Sequence, residues 1–162
     1  MAITEGDRLP DATLIRGGDG GPEAVELSSL TKGRRVALFA VPGAFTGTCS
    51  TAHVPSFIRT KDGFAEKGID TIICVSVNDP FVMKAWGEDT GATPAGIEML
   101  GDADGTFTKA MGMDFDAPPA GLFGRSKRYA LIADDGVVKT IGVEESPGVC
   151  EVSAGEALLE KA

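Results

Sequence analysis

Apolar positions along the chain come in two kinds of run. "RVALFAV" (Arg35 to Val41) and "IDTIICVSV" (Ile69 to Val77) are short, nearly continuous and rich in β-branched residues, the pattern of strands buried on both faces. Between them, "CSTAHVPSFIRTKDGFAEKG" places Val54, Phe57, Ile58 and Phe64 at helical spacing and stops at Gly68, a residue suited to a helix C-cap. The three segments predict a βαβ crossover. Pro55 falls inside the helix, where it should bend the axis or leave carbonyls free near the first turns.

"NDPFVMKAWGED" predicts a second helix with Asn78 or Asp79 as N-cap and Pro80 at the first helical position, where a missing N–H costs nothing. "KRYALIADDGVVKTIGV" predicts two strands around Asp135-Gly136, a strong hairpin signal. A closing helix is expected near "SAGEALLEKA". No internal repeat or low-complexity linker interrupts this order, so residues 1–162 are expected to form one domain. The order resembles the thioredoxin-like architecture, an α/β fold with a central mixed sheet flanked by helices; by itself that says little about function.

Composition narrows the possibilities. Hydrophobic residues make up 43% and charged residues 24%, ordinary for a globular chain. A formal net charge of -9 works against nucleic-acid binding, which relies on clustered Lys and Arg. The opening "MAITEGDRLPD" has neither a basic region nor an apolar core of a leader, and no apolar run reaches the ~18 residues of a membrane span; a cytoplasmic location is the expectation. Three widely spaced cysteines, Cys49, Cys74 and Cys150, are a poor framework for disulfides and show no metal-ligand spacing. Catalysis, redox sensing or plain burial remain as their uses.

The chemistry concentrates in "PGAFTGTC", Pro42 to Cys49. Cys49 follows a buried strand and a loop of small residues, so it should lie in the first turn of a helix, near free N–H groups and the positive end of the helix dipole. That position favours the reactive thiolate. Attack on an electrophile such as a peroxide also needs donors that hold the two oxygens and stabilise the charge on the leaving one. Thr46 can supply a hydroxyl, the loop its N–H groups, and Arg128 a permanently charged guanidinium. Each residue has a plainer use: Cys49 as a small buried hydrophobe, Thr46 as a helix cap, Arg128 and Arg125 as surface charges. His53, the one histidine, shares a helical face with Cys49 but lacks an orienting partner for hydrolase chemistry; a hydrogen-bonding histidine lining the pocket is expected. "RGGDGGPE" (Arg16 to Glu23) and "GDADGT" (Gly101 to Thr106) lack the phosphate-loop and calcium-loop consensus and are expected to be a loop and a turn.

"VPGAFTGTCSTAHVPSF" closely resembles the active-site loop of peroxiredoxins, with a proline, a Thr or Ser four residues on and a cysteine three further. "VSVNDPFVMKAWG" and "GRSKRYALIADDG" extend the resemblance over most of the chain and point to the type II branch. The resemblance implies a thiol peroxidase that reduces hydrogen peroxide and alkyl hydroperoxides without metal or other cofactor. It implies Cys49 as nucleophile, Thr46 as peroxide ligand, Arg128 as support for the thiolate and Pro42 as a shield. It also implies a homodimer paired through the face bearing the active-site loop and "NDPF". Gly47 stands where many members have a second proline.

The resetting thiol is left open. Cys74 has the spacing of the second cysteine in plant-like members, yet sits in an apparent buried strand. Cys150 lies in the Pro/Gly segment "ESPGVCEV", close to where some animal members resolve. Direct reduction by glutathione with glutaredoxin is the expectation, and thioredoxin is the alternative. A redox sensor that oxidises once is the rival function; a thioredoxin-like oxidoreductase would want a CxxC pair, which this chain lacks.

Overall fold

A computed structural model describes residues 2–162. The first hairpin joins β1 (Thr13–Gly18) to β2 (Gly21–Glu26), and a short helix α1 (Leu27–Thr31) leads into β3 (Arg35–Val41). A π-helical turn (Cys49–His53) runs into α2 (Val54–Glu66), followed by β4 (Thr71–Ser76), α3 (Pro80–Thr90), β5 (Glu98–Gly101) and α4 (Thr106–Ala110). A small separate hairpin, β6 (Asp114–Ala117) with β7 (Leu122–Ser126), precedes β8 (Tyr129–Asp134), β9 (Val137–Val143) and α5 (Gly155–Glu160). The main sheet has seven strands in the order β2-β1-β5-β4-β3-β8-β9. Its centre is parallel, β3 beside β4 and β4 beside β5, and its flanks are antiparallel. This is the thioredoxin-like mixed sheet that the order of elements suggested.

The unbroken apolar run of β3 follows from this placement. Ala37, Phe39 and Val41 point to one face, where Phe57, Phe64, Trp86 and Leu158 from α2, α3 and α5 cover them. Val36, Leu38 and Ala40 point to the other, against Leu27, Phe107 and Met111. With both faces covered, no position on the strand has a polar side to serve. Phe39 stacks on Phe57 with ring centroids 4.1 Å apart, and Phe57 on Phe64. Truncating Phe57 to alanine would cost about 3–5 kcal/mol, so the stack fixes α2, and with it the preceding turn, on the sheet.

Local signals resolve as their chemistry requires. Asp79 caps α3 by accepting the Val82 N–H at 2.9 Å, with Pro80 first in the helix. Asp135 and Gly136 both have positive φ, 50° and 79°, as a two-residue turn between twisted strands demands. Gly68 ends α2 with φ 82°. The "GDADGT" turn opens α4: Asp102, at the end of β5, accepts the N–H groups of Phe107 and Thr108.

One expectation is corrected, and a second, the disturbance by Pro55, takes a particular form. "RGGDGGPE" is not simply a loop, because Arg16 to Gly18 end β1 and Gly21 to Glu23 begin β2. The glycine at 17 permits close approach: a Cβ there would strike the Pro80 carbonyl and Lys84 of α3. The helix expected from Cys49 is also not uniform. Pro55 has no N–H and its ring excludes the carbonyl four residues back; the chain widens into the π turn, with the Val54 N–H reaching the Cys49 carbonyl.

Candidate active site

The end of β3 delivers Pro42, buried, to a loop that side chains hold from both sides. The Asn78 side-chain oxygen accepts the Ala44 N–H at 3.0 Å and the Ser76 hydroxyl at 2.6 Å. The Thr46 hydroxyl donates to the Gly43 carbonyl at 2.7 Å. Between these ties Phe45 takes φ 62° and stands 54% exposed, a left-handed conformation that aromatic residues rarely adopt and that tends to mark functional loops. The Ser50 N–H then bonds the Thr46 carbonyl at 3.1 Å, closing the first helical turn. Cys49 therefore lies where the helix begins, and Trp86 of α3 fastens that turn by donating its indole N–H to the Ser50 hydroxyl at 2.8 Å.

β8 brings Arg128 to the sulfur. The residue precedes the strand and is almost wholly enclosed, 1% exposed. Its Nη2 donates to Cys49 Sγ at 3.1 Å and to the Pro147 carbonyl at 2.9 Å, Nε bonds the same carbonyl at 3.2 Å, and Nη1 donates to His53 Nδ1 at 2.9 Å. Among the described residues no carboxylate lies within 4.0 Å of this guanidinium. A buried cation without a carboxylate is costly, and the acceptors this one meets are the Cys49 sulfur, the His53 ring and the Pro147 carbonyl.

His53 is neutral. Nδ1 accepts from Arg128, so the proton sits on Nε2 and donates to the Ser153 carbonyl at 2.9 Å. Burial, and then the Arg128 charge, push its pKa down to about 3. The expected hydrogen-bonding role holds, and a nucleophile-base pair with Cys49 does not form, since both ring nitrogens are engaged elsewhere.

Arg128 thus meets Cys49 at the end of the sheet, where β3 runs into the loop that carries Pro42 and Thr46. Cys74 does not join them as a polar group. It is fully buried in the middle of β4, opposite Phe39, and burial pushes its thiol well up. Cys150 is half-buried on the segment after β9, and its thiol is also raised, mainly by burial. All three cysteines are free thiols.

Three residues of the site were not expected from sequence. Asn78 holds the loop rather than capping α3. Arg125 is more than a surface charge: its Nη1 sits so close to Gly43 that an added Cβ would lie 3.0 Å away. Glu144, 8% exposed, accepts the N–H groups of Glu151 and Ser153 at 2.7 Å and the Ser153 hydroxyl at 2.6 Å. Their partners lie far off in sequence, and a carboxylate in "VEESPG" carries no local sign of burial. Gly47 has open space around it, so a side chain there would meet nothing within 4 Å. No cluster of His, Cys, Asp or Glu among the described residues could hold a metal, and no helix is long and apolar enough to cross a membrane.

A thiol enclosed by a guanidinium at a helix start, on a thioredoxin-like sheet, defines a thiol-based redox protein. Comparison sharpens this: the Redoxin family profile matches residues 4–159. Peroxiredoxin-2E-2, chloroplastic, of Oryza sativa is 49% identical, over 98% of this chain and 72% of that protein. Peroxiredoxin-2C of the same plant is 43% identical over 98% and 97%. The crystal structure of reduced Prx3 from Vibrio vulnificus in complex with hydrogen peroxide superposes with TM-score 0.87 at 49% identity, covering 98% of both chains. The chain belongs to the Redoxin family, in its type II peroxiredoxin branch. The activity of that branch is thiol-dependent peroxide reduction.

Proposed function

We propose that Cys49 is the peroxidatic nucleophile and that its sulfenic acid is reset by glutathione with glutaredoxin. The thiolate attacks one peroxide oxygen; an S–O bond forms, the O–O bond breaks, and the departing alkoxide or hydroxide takes a proton to leave as alcohol or water. The observation that carries this is Arg128 Nη2 at 3.1 Å from Sγ, a cation placed to meet charge on sulfur and then on the departing oxygen. The Thr46 hydroxyl proton is committed to the Gly43 carbonyl, which leaves its oxygen to accept from the peroxide and fix its orientation. Pro42, buried at the end of β3, is assigned the part of a shield.

The choice of an external thiol is supported by the settings of the other two cysteines. Cys74 is locked in the sheet and Cys150 is held on a bonded segment, so neither moves toward Cys49 without breaking those bonds. The test is a Cys74→Ser, Cys150→Ser double variant, expected to keep turnover with glutathione and glutaredoxin; a folded variant that oxidises once and stops would overturn this. A preference for thioredoxin, with loss of turnover in Cys150→Ser alone, would favour the resolving-cysteine route.

The protein is proposed to act in the cytoplasm as a homodimer. Exposed Phe45, Phe81 and Phe123, at 54%, 68% and 64%, support pairing through the face that bears the active-site loop and the start of α3. Sedimentation across a dilution series should show the dimer dissociating.

A further inference from the structure

The segment from Glu144 to Ser153 works as a strap across the site. Its Pro147 carbonyl accepts from Arg128, its Gly148 carbonyl accepts from the Thr48 hydroxyl at 3.1 Å, and its Ser153 carbonyl accepts from His53. The same strap carries Cys150. One side chain closes it on itself: the Glu144 carboxylate takes three short bonds from Glu151 and Ser153, the residues flanking positions 150 and 152. Glu144 is itself anchored, its N–H bonding the Arg128 carbonyl at 2.9 Å. Cys49 is 0% exposed, and the strap holds the Arg128 side chain that lies against its sulfur, so a reducing thiol reaches that sulfur only when the surroundings move.

We infer that Glu144 is a positioning residue that sets the balance between the two halves of the cycle, holding Arg128 on Cys49 while keeping Cys150 off it. The inference rests on Cys49 being the peroxidatic residue. With the clamp closed, the strap carbonyls keep the guanidinium and His53 in place, and attack on peroxide is favoured. With it open, Arg128 loses its fixed acceptor and Cys150 gains freedom to reach the sulfenic acid. In that second step the Cys150 thiolate attacks the Cys49 sulfur; an S–S bond forms, the S–O bond breaks, and hydroxide leaves as water with the thiol proton. In this exchange the Cys150 sulfur is oxidised and the Cys49 sulfur reduced, so the step itself draws on no outside reductant, and an external thiol later reduces the disulfide.

Relaxing the clamp should therefore move the two half-reactions in opposite directions, which a merely destabilising change would not do. Glu144→Gln removes the charge that attracts three donors. Two readouts are compared with the wild type: the second-order rate of sulfenic acid formation with hydrogen peroxide, and the fraction of Cys49–Cys150 disulfide, by mass spectrometry, after one equivalent of peroxide without added thiol. The expected result is a fall of roughly ten-fold or more in the first and a several-fold rise in the second. Glu145→Gln, at an exposed neighbour, should change neither. Should Glu144→Gln fail to fold, Ser153→Ala removes one of the three bonds and should give both changes in the same directions, smaller. The inference is overturned if the folded variant leaves both quantities unchanged or lowers both. Sulfenic acid trapped at a cysteine other than Cys49 in the wild type would instead overturn the underlying assignment.

Discussion

Cys49 and Cys74 are equally closed to solvent and belong to the same apolar cluster under α2, yet they stand in different chemical worlds. Cys74 sits mid-strand, its backbone groups paired in the sheet and its sulfur among hydrocarbon side chains. Burial there only disfavours charge. Cys49 sits where a strand has ended and a helix begins, so its backbone opens the π turn and its sulfur faces the guanidinium of Arg128. The two sulfurs differ in what their enclosing walls contain, and exposure alone would have ranked them together.

The sharpest way to break the comparison is to remove the guanidinium. Arg128→Met should leave Cys49 buried but without its donor, and the rate with hydrogen peroxide, measured by competition against a heme peroxidase, should fall by about 10²–10³. A rate within three-fold of the wild type would show that the helix start alone activates the sulfur.

Next in size is the pH dependence of stability, which reports on the neutral His53 beside that guanidinium. The native imidazole resists protonation until about pH 3, whereas the unfolded chain takes up its proton near 6.5. Between those values the unfolded state binds more protons, so stability is full above pH 6.5 and falls as the pH drops toward 3, by up to a few kcal/mol. His53→Gln lacks the proton and should flatten this slope in urea titrations at pH 7, 5.5 and 4. Parallel curves for the two proteins would mean that other groups govern the acid limb.

The smallest effect belongs to the quiet member of the pair. Cys74→Ala should cost about 1 kcal/mol of stability, the usual penalty for a modest core deletion, while peroxide turnover with glutathione stays within two-fold. A loss of turnover at intact stability would place Cys74 in the cycle after all.

The parts of this architecture legible in the sequence are those whose causes are local. β3, the Asp79-Pro80 helix start and the Asp135-Gly136 turn each depend on a few adjacent residues, and the structure places them where the pattern did. β4 is trimmed to Thr71–Ser76, since Ile69 is buried but lies before the paired segment. β5, at four residues, and the hairpin of β6 and β7, with four of its nine strand positions exposed, offer too little periodicity to read. At the site the same division holds. Cys49 and Thr46 share one loop and could be found by spacing, and Arg128 by resemblance. Glu144, Asn78 and the tie between His53 and Arg128 span 7 to 75 positions, and nothing adjacent to them announces the contact.

The bond from Trp86 to Ser50 gives the molecule a built-in optical gauge. Trp86 is the chain's single tryptophan, its indole is shut away from water, and its N–H is tied to Ser50, the residue next to Cys49. Indole emission responds to the polarity and hydrogen bonding of its surroundings, so any shift of the Cys49 turn on oxidation or reduction is broadcast as a change in ultraviolet fluorescence. Each turnover can then be followed in the unmodified protein, with no dye or label attached.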